Sequence, residues 1–298
     1  MTRIVGIVNI TRDSFSDGGR FLNAHAAIEH ARRLLADGAD IVELGAESTH
    51  PDAENVPADE EIARLTPVIE ALRPDRVPIC VDTYKPAVMQ RVLQLGVAYI
   101  NDVTALRDAA AVAAVRDADA RLIIMHSRAA GARAERREAD PATIVDEISA
   151  FFRRRIAELT AAGIRRERLI LDPGMGLFLG SNPEASLAVL GGLERLCGLG
   201  LPLLISTSRK SFIGAVLGDR GSPRPVGQRA AGTLATEIWA ALHGVGYIRT
   251  HDVRALRDAL TLLDAIRGRH GTGLKAGGQE AASGGVQQGQ RLRSVDRR

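Results

Sequence analysis

The sequence predicts a (β/α)8 barrel, and three observations lead there. Eight short apolar runs recur along the 298 residues, each stopping at polar residues: Ile7-Val8-Asn9, Val42-Glu43-Leu44-Gly45, Cys80-Val81-Asp82, Tyr99-Ile100-Asn101-Asp102, Ile124-Met125-His126, Leu171-Asp172, Leu204-Ile205-Ser206 and Ile248-Arg249-Thr250-His251. Segments of helical spacing separate them, the pattern of parallel strands covered on both faces. One barrel of about 250 residues is also an ordinary use of this length. In that fold the polar residues at the carboxyl ends of strands surround the active site, so the run ends already name candidate functional residues.

Taken in order, the first run feeds a long connection over 11–23. A helix follows, with Ala26, Ala27, Ile28, Ala31, Leu34 and Leu35 on one face, closed by Gly38. The second run leads through 47–57 to a helix whose face is Ile62, Leu65, Val68, Ile69 and Leu72, stopped by Pro74. Later helices are expected over 86–95, 108–117, 142–162, 183–197, 228–243 and 253–267. Connections as long as the first two form lids or binding loops in compact barrels. The stretches 127–140, rich in Arg and Ala, and 219–227, rich in Gly and Pro, are expected to be mobile. From Arg269 the chain is mostly Gly, Gln, Ser and Arg without apolar period, so a disordered tail is expected over 269–298 and one catalytic domain over 1–268.

Composition narrows the classes of function. With 45% hydrophobic residues the chain can bury a large core, yet no apolar stretch approaches the roughly 20 residues that span a bilayer. No signal-peptide pattern precedes the first run. Two cysteines, Cys80 and Cys197, supply neither a disulfide framework nor a zinc cluster, so a cytoplasmic protein away from membranes is expected. The net charge of +3 comes from basic residues interleaved with acids, and aromatic residues are 3%, which argues against nucleic acid as a partner. Lysine occurs only at 85, 210 and 275, which gives weight to Lys210 beside a strand end.

The run ends divide by chemistry. Asp82, Asp172 and the pair Asn101-Asp102 are hydrogen-bond acceptors. Each alone would serve equally as a helix cap or salt-bridge partner, but together they suit a flat heterocycle with several N–H groups, such as a pterin or a purine. Ser208-Arg209-Lys210-Ser211 and Arg249-Thr250-His251-Asp252 follow the seventh and eighth runs, the usual phosphate site of this fold. Lys210 and Arg249 are expected in the mouth and Arg209 in a surface ion pair. His126 and His251 both end runs without the ligand spacing of zinc. Asp172-Pro173-Gly174-Met175-Gly176 lacks the glycine spacing of a dinucleotide fingerprint.

The ordered set Asn9-Ile10-Thr11-Arg12-Asp13-Ser14-Phe15-Ser16-Asp17-Gly18-Gly19, Glu47-Ser48-Thr49, Val81-Asp82-Thr83, Ile100-Asn101-Asp102, Asp172-Pro173-Gly174, Ser208-Arg209-Lys210-Ser211 and Arg249-Thr250-His251-Asp252 resembles the dihydropteroate synthases. The resemblance runs from residue 3 to about 267. It implies condensation of 6-hydroxymethyl-7,8-dihydropterin diphosphate with para-aminobenzoate, giving dihydropteroate and pyrophosphate for folate synthesis, with Mg²⁺ and as a homodimer. By motif, Asp82, Asn101, Asp172 and Lys210 would hold the pterin, and Asn9, Arg249 and His251 the diphosphate, with Asn9 also on Mg²⁺. Thr49, Pro51 and Ser208 would border para-aminobenzoate. Lys210, Asp82, Arg249 and His251 would be the catalytic set.

The chain departs from the family pattern at four places. Arg12 stands for Pro, Ala46 for Gly, His50 for Arg, and Gly176-Leu177-Phe178-Leu179-Gly180 for Gly-Phe-Gly-Lys. The stretches 172–180, 49–53 and 249–251 look more like the mobile, Sul-type sulfonamide-resistance synthases, although the extra Phe-Gly of those enzymes is missing from Asn101-Asp102-Val103-Thr104-Ala105-Leu106-Arg107. The alternatives are a pterin-dependent methyltransferase domain, for which no cobalamin partner domain is present, and a non-catalytic pterin-binding paralogue. Retention of Asn9, Lys210, Arg249 and His251 weighs against the paralogue.

Overall fold

The computed structural model describes residues 2–10, 20–50, 52–129, 131–219 and 221–268. Eight parallel strands, β1 (Arg3–Asn9), β2 (Ile41–Gly45), β3 (Ile79–Asp82), β4 (Tyr99–Asp102), β5 (Arg121–Met125), β6 (Leu169–Asp172), β7 (Leu204–Ile205) and β8 (Tyr247–Thr250), form one sheet in the order β6-β5-β4-β3-β2-β1-β8-β7. The remaining seam is drawn together by a parallel bridge between Leu171 and Leu203, with the Leu171 N–H donating to Pro202 O at 2.9 Å. The arrangement is the expected (β/α)8 barrel.

Helices fill the connections: α1 (Arg20–Ala36), α2 (Ala58–Leu72), α3 (Pro86–Gln94), α4 (Ala109–Arg116), α5 (Ile144–Ala161), α6 (Pro183–Gly191), α7 (Leu193–Cys197), α8 (Ser211–Leu217), α9 (Ala230–Leu242) and α10 (Val253–Ile266). Pro67 lies inside α2 without ending it, and Pro74 falls in the 3-10 turn that does. The segment expected as one helix over 183–197 is divided at Gly192, and α8 is too short for apolar periodicity to announce it. The proposed tail at 269–298 and Arg12 lie outside the described residues. No helix among those described is long and apolar enough to cross a membrane.

The strand period of two decides what faces the site. Val5, Ile41, Cys80, Tyr99, Ile123, Ile170, Leu204 and Tyr247 fill the barrel interior as one cluster. The alternate residues, among them Ile4, Val42, Val81, Ile100, Leu122, Leu171, Ile205 and Ile248, pack under the helices. Two residues beyond each interior plug, the same face carries Ile7, Glu43, Asp82, Asn101, Met125, Asp172, Ser206 and Arg249. The inner face therefore turns from apolar to polar within one layer.

Candidate active site

Glu43 is the hub of that polar layer, although it stands mid-run and the motifs pass over it. Its carboxylate is buried and accepts from Arg249 Nη1 at 3.0 Å, with Asn101 Nδ2 and Cys80 Sγ each at 3.5 Å. Arg249 also lies 4.0 Å from Asp172 Oδ2. Burial alone would loosen the Arg249 proton, but Glu43, Asp172 and Asp82 hold the guanidinium more firmly charged than usual.

The expected acceptors converge here. Asn101 is wholly buried, and its Oδ1 has no hydrogen-bond partner. Such an acceptor inside a protein is costly unless a ligand donor meets it. Asp172 is 1% exposed and accepts from the Gly174 N–H at 2.8 Å. Gly174 sits at φ +73°, where a Cβ would come within 2.5 Å of His126 O, so the turn that supplies this N–H requires glycine. Burial raises the pKa of Asp172 against the opposing pull of Arg249 and Lys210. Asp82, half-buried beside Glu43, has its pKa raised well above the ordinary aspartate value, first by desolvation and then by the Glu43 charge. Asp102 does not join them. Its outward carboxylate accepts from Thr104 N at 2.7 Å and Leu106 N at 2.9 Å, fixing a turn in which Ala105 and Leu106 have positive φ.

The cations occupy the opposite wall. Lys210 places Nζ 5.6 Å from the centroid of the Phe178 ring, and desolvation followed by the Arg249 charge brings its ammonium down to about 8. His251 is lowered to about 4, first by burial and then by Arg209 and Arg249, so it is neutral near pH 7. Ser208 Oγ accepts from the His251 backbone N–H at 3.2 Å and lies 2.9 Å from Nδ1. With the serine hydroxyl donating to Nδ1, the imidazole presents Nε2–H as a donor. Ser208 therefore orients His251 as well as bordering the cavity. Arg209 is exposed, but among the described residues it forms none of the ion pairs expected of it, and its backbone N–H and carbonyl are what is held.

A cavity of about 260 Å³ opens over this layer, lined by Asn9, Glu43, Thr49, Asp82, Lys210 and His251 among others, while Asn101 and Asp172 lie buried behind its lining. Pro51 lies outside the described residues. The loop that carries Thr49 is anchored by Lys85, which pairs with Glu47 and, at 2.6 Å, with buried Glu61. It also touches the connection after β5, through Ala134 N donating to Thr49 O at 3.2 Å and Arg136 pairing with Asp52 at 2.7 Å. His50 is exposed, its Nδ1 3.7 Å from Asp52 Oδ2. His126 turns away from any metal role. It is buried, donates from Nδ1 to Pro173 O at 3.3 Å and packs edge-on to Phe151, and burial lowers it to about 4.

Among the described residues no cluster of three His, Cys, Asp or Glu side chains could hold a metal ion. Asn9 ends β1 at the cavity with an exposed side chain, a single oxygen donor of the hard kind. That set fits only a cation that takes its other ligands from a substrate and water, which is the habit of Mg²⁺.

A parallel barrel whose mouth sets buried acceptors opposite a lysine and an arginine defines an enzyme for a flat, N–H-rich, anionic small molecule. Residues 5–251 match the pterin binding enzyme family. The chain is 51% identical over 265 residues to the type-2 dihydropteroate synthase of Escherichia coli, covering 89% of this chain and 96% of that one. Among solved structures, the Xanthomonas albilineans dihydropteroate synthase with 4-aminobenzoic acid superposes with a TM-score of 0.81 at 40% identity, covering 89% of this chain and 93% of that one. The same enzyme with 7,8-dihydropteroate gives 0.78 at 39%, covering 89% and 94%. The chain belongs to the pterin binding enzymes and, among them, to the dihydropteroate synthases.

Proposed function

We propose that this enzyme condenses 6-hydroxymethyl-7,8-dihydropterin diphosphate with para-aminobenzoate, giving dihydropteroate and pyrophosphate in folate synthesis. The observation that carries the reading is the unpartnered, buried Asn101 Oδ1, in the same polar layer as Glu43, Asp172 and Arg249. Pterin N–H groups meet the Asn101 and Asp172 oxygens, and the diphosphate lies toward Arg249, His251 and Asn9. The bond from the pterin methylene carbon to the diphosphate oxygen breaks, and its electron pair leaves with the anion. The arylamine nitrogen then bonds to that carbon and sheds a proton. Arg249 and the Nε2–H of His251 stabilise charge gathering on the departing diphosphate. As positive charge grows on the pterin, it favours the ionised form of Asp82, whose pKa desolvation and the Glu43 charge raise in the free site. Mg²⁺, carried on the diphosphate and held by Asn9, would supply further neutralisation of the leaving group.

By the family motif Thr49, Pro51 and Ser208 would serve para-aminobenzoate, and Leu177 and Phe178 are proposed to wall that side. Phe178 packs with Val103, Met125 and Ala134, and Ala134 is tied to Thr49. That closure supports discrimination against sulfonamides, since drug and substrate share the aniline but differ in bulk where sulfonyl replaces carboxylate. We read the working protein as a cytoplasmic homodimer. Leu187, Val216 and Trp239, on the mutually packed helices α6, α8 and α9, are 43%, 52% and 45% exposed and favour a second copy there. Pyrophosphate release measured with and without para-aminobenzoate tests the central reading. Release dependent on the amine, with dihydropteroate formed, is expected; no release under any condition overturns it.

A further inference from the structure

Helix α9 carries a polar stripe on the face that packs beneath the strand ends. Thr233, Thr236 and Glu237 stand three and four residues apart, so they share that face. Each reaches a different point of the cation-bearing segments. Thr233 Oγ1 accepts from the Arg209 N–H at 3.0 Å, and the Thr236 and Thr207 hydroxyls bond at 2.8 Å. Glu237 is hydrogen-bonded to Thr250, whose hydroxyl also accepts from Asp252 N at 3.2 Å. Thr207 and Thr250 are the outward-facing neighbours of the inward pairs Ser206/Ser208 and Arg249/His251.

Arg209 makes the arrangement more than packing. It is not a glycine, yet its φ is +59°, the left-handed conformation that side chains disfavour. The conformation is clamped at both ends, its N–H by Thr233 and its carbonyl by Arg229 Nη1 at 2.9 Å. Arg229 reaches that carbonyl over Gly214, where a Cβ would lie 2.5 Å from its Nε. The next residue is Lys210. Glu237 in turn is 1% exposed with one carboxyl oxygen unpartnered, and with Thr233, Ser208 and Asp252 it lines a cavity of about 320 Å³ behind the β7 and β8 ends. Burial holds it as the neutral acid, up to about 8.

We propose that Thr233 and Glu237 are positioning residues: from the back of the barrel they hold the ends of β7 and β8, and through them Lys210, Arg249 and His251, in working geometry. This deepens the proposed reaction and rests on it. The test compares Thr233→Val with Thr233→Ser and Glu237→Leu with Glu237→Gln, reading kcat and the KM of each substrate alongside the melting temperature. The polar-to-apolar member of each pair should lose at least tenfold in kcat/KM for the pterin diphosphate, with the KM for para-aminobenzoate within twofold of wild type. Serine and glutamine, which keep an oxygen in place, should recover to within threefold. The proposal is overturned if either folded apolar variant keeps kcat/KM within twofold, if both KM values move together, or if the conservative partners do not recover. Should Thr233→Val not fold, the Glu237 pair carries the same contrast. Wild-type protein that forms no dihydropteroate would instead defeat the reaction itself.

Discussion

Arg249 and Glu43 meet at 3.0 Å inside the barrel, each almost removed from solvent. The pair joins the wall of cations to the wall of acceptors, because Glu43 also touches Asn101 while Arg249 approaches Asp172. A buried ion pair is weak support for stability in itself, but removing one member strands the other.

Glu43→Ala should therefore destabilise the fold by roughly 3 kcal/mol, the lower end of the cost of breaking a buried pair, because Asp172 still lies 4.0 Å from Arg249. Urea denaturation of the two proteins measures the difference. A loss under about 1 kcal/mol would mean that Arg249 finds another partner at once.

Asn101→Ala and Asp172→Asn should weaken binding of the pterin diphosphate by about 1.5–3 kcal/mol each, as expected for hydrogen bonds involving a charged group or a buried acceptor. Asparagine at 172 keeps an oxygen for the Gly174 N–H, so the turn after β6 should survive. Calorimetric titration gives the affinity and scanning calorimetry the fold. Unchanged affinity in a folded variant removes that residue from the pterin site.

The strand period explains what was legible in the sequence. Every apolar run became a strand, and most run ends lie at the cavity. Motif reading treats Asn101 and Asp102 alike, whereas alternation sends the first inward and the second to its own turn. The same parity places Arg249 and His251 inside and Thr250 under α9. Glu43 was hidden because a carboxylate between Val42 and Leu44 looks like part of an apolar run; its signal was parity, one charge on the inward face two residues past Ile41. The Lys85, Glu47 and Glu61 anchor joins three separate elements, and no local pattern encodes that meeting.

The pH profile should report Lys210. In the free site its ammonium titrates at about 8, so the charged form prevails below that pH and is lost above it. Because kcat/KM follows the free enzyme, its value for the pterin diphosphate should fall as pH rises through about 8. The bound anion holds the proton on, so the limb in kcat should lie higher. Lys210→Arg should lower activity yet lose this limb, since a guanidinium stays charged throughout. A wild-type profile flat to pH 10 would contradict the assignment.

Glu237 gives a separate, thermodynamic expectation. Its carboxyl lies beneath Thr250, with Asp252 as the acidic neighbour, and burial raises it from 4.5 to about 8 in the folded protein. Below the unfolded value both states are protonated and the group leaves stability unaffected. Between about 4.5 and 8 the unfolded chain ionises while the folded one cannot, so stability falls with rising pH by up to about 1.4 kcal/mol per unit, then levels above the folded value. Glu237→Gln has no proton to lose. Its unfolding free energy should exceed that of wild type by an amount that grows from pH 5 to pH 8, read from denaturant midpoints at constant ionic strength. Parallel curves for the two proteins would mean that Glu237 is ionised in the fold and that a compensating cation or water reaches its unpartnered oxygen.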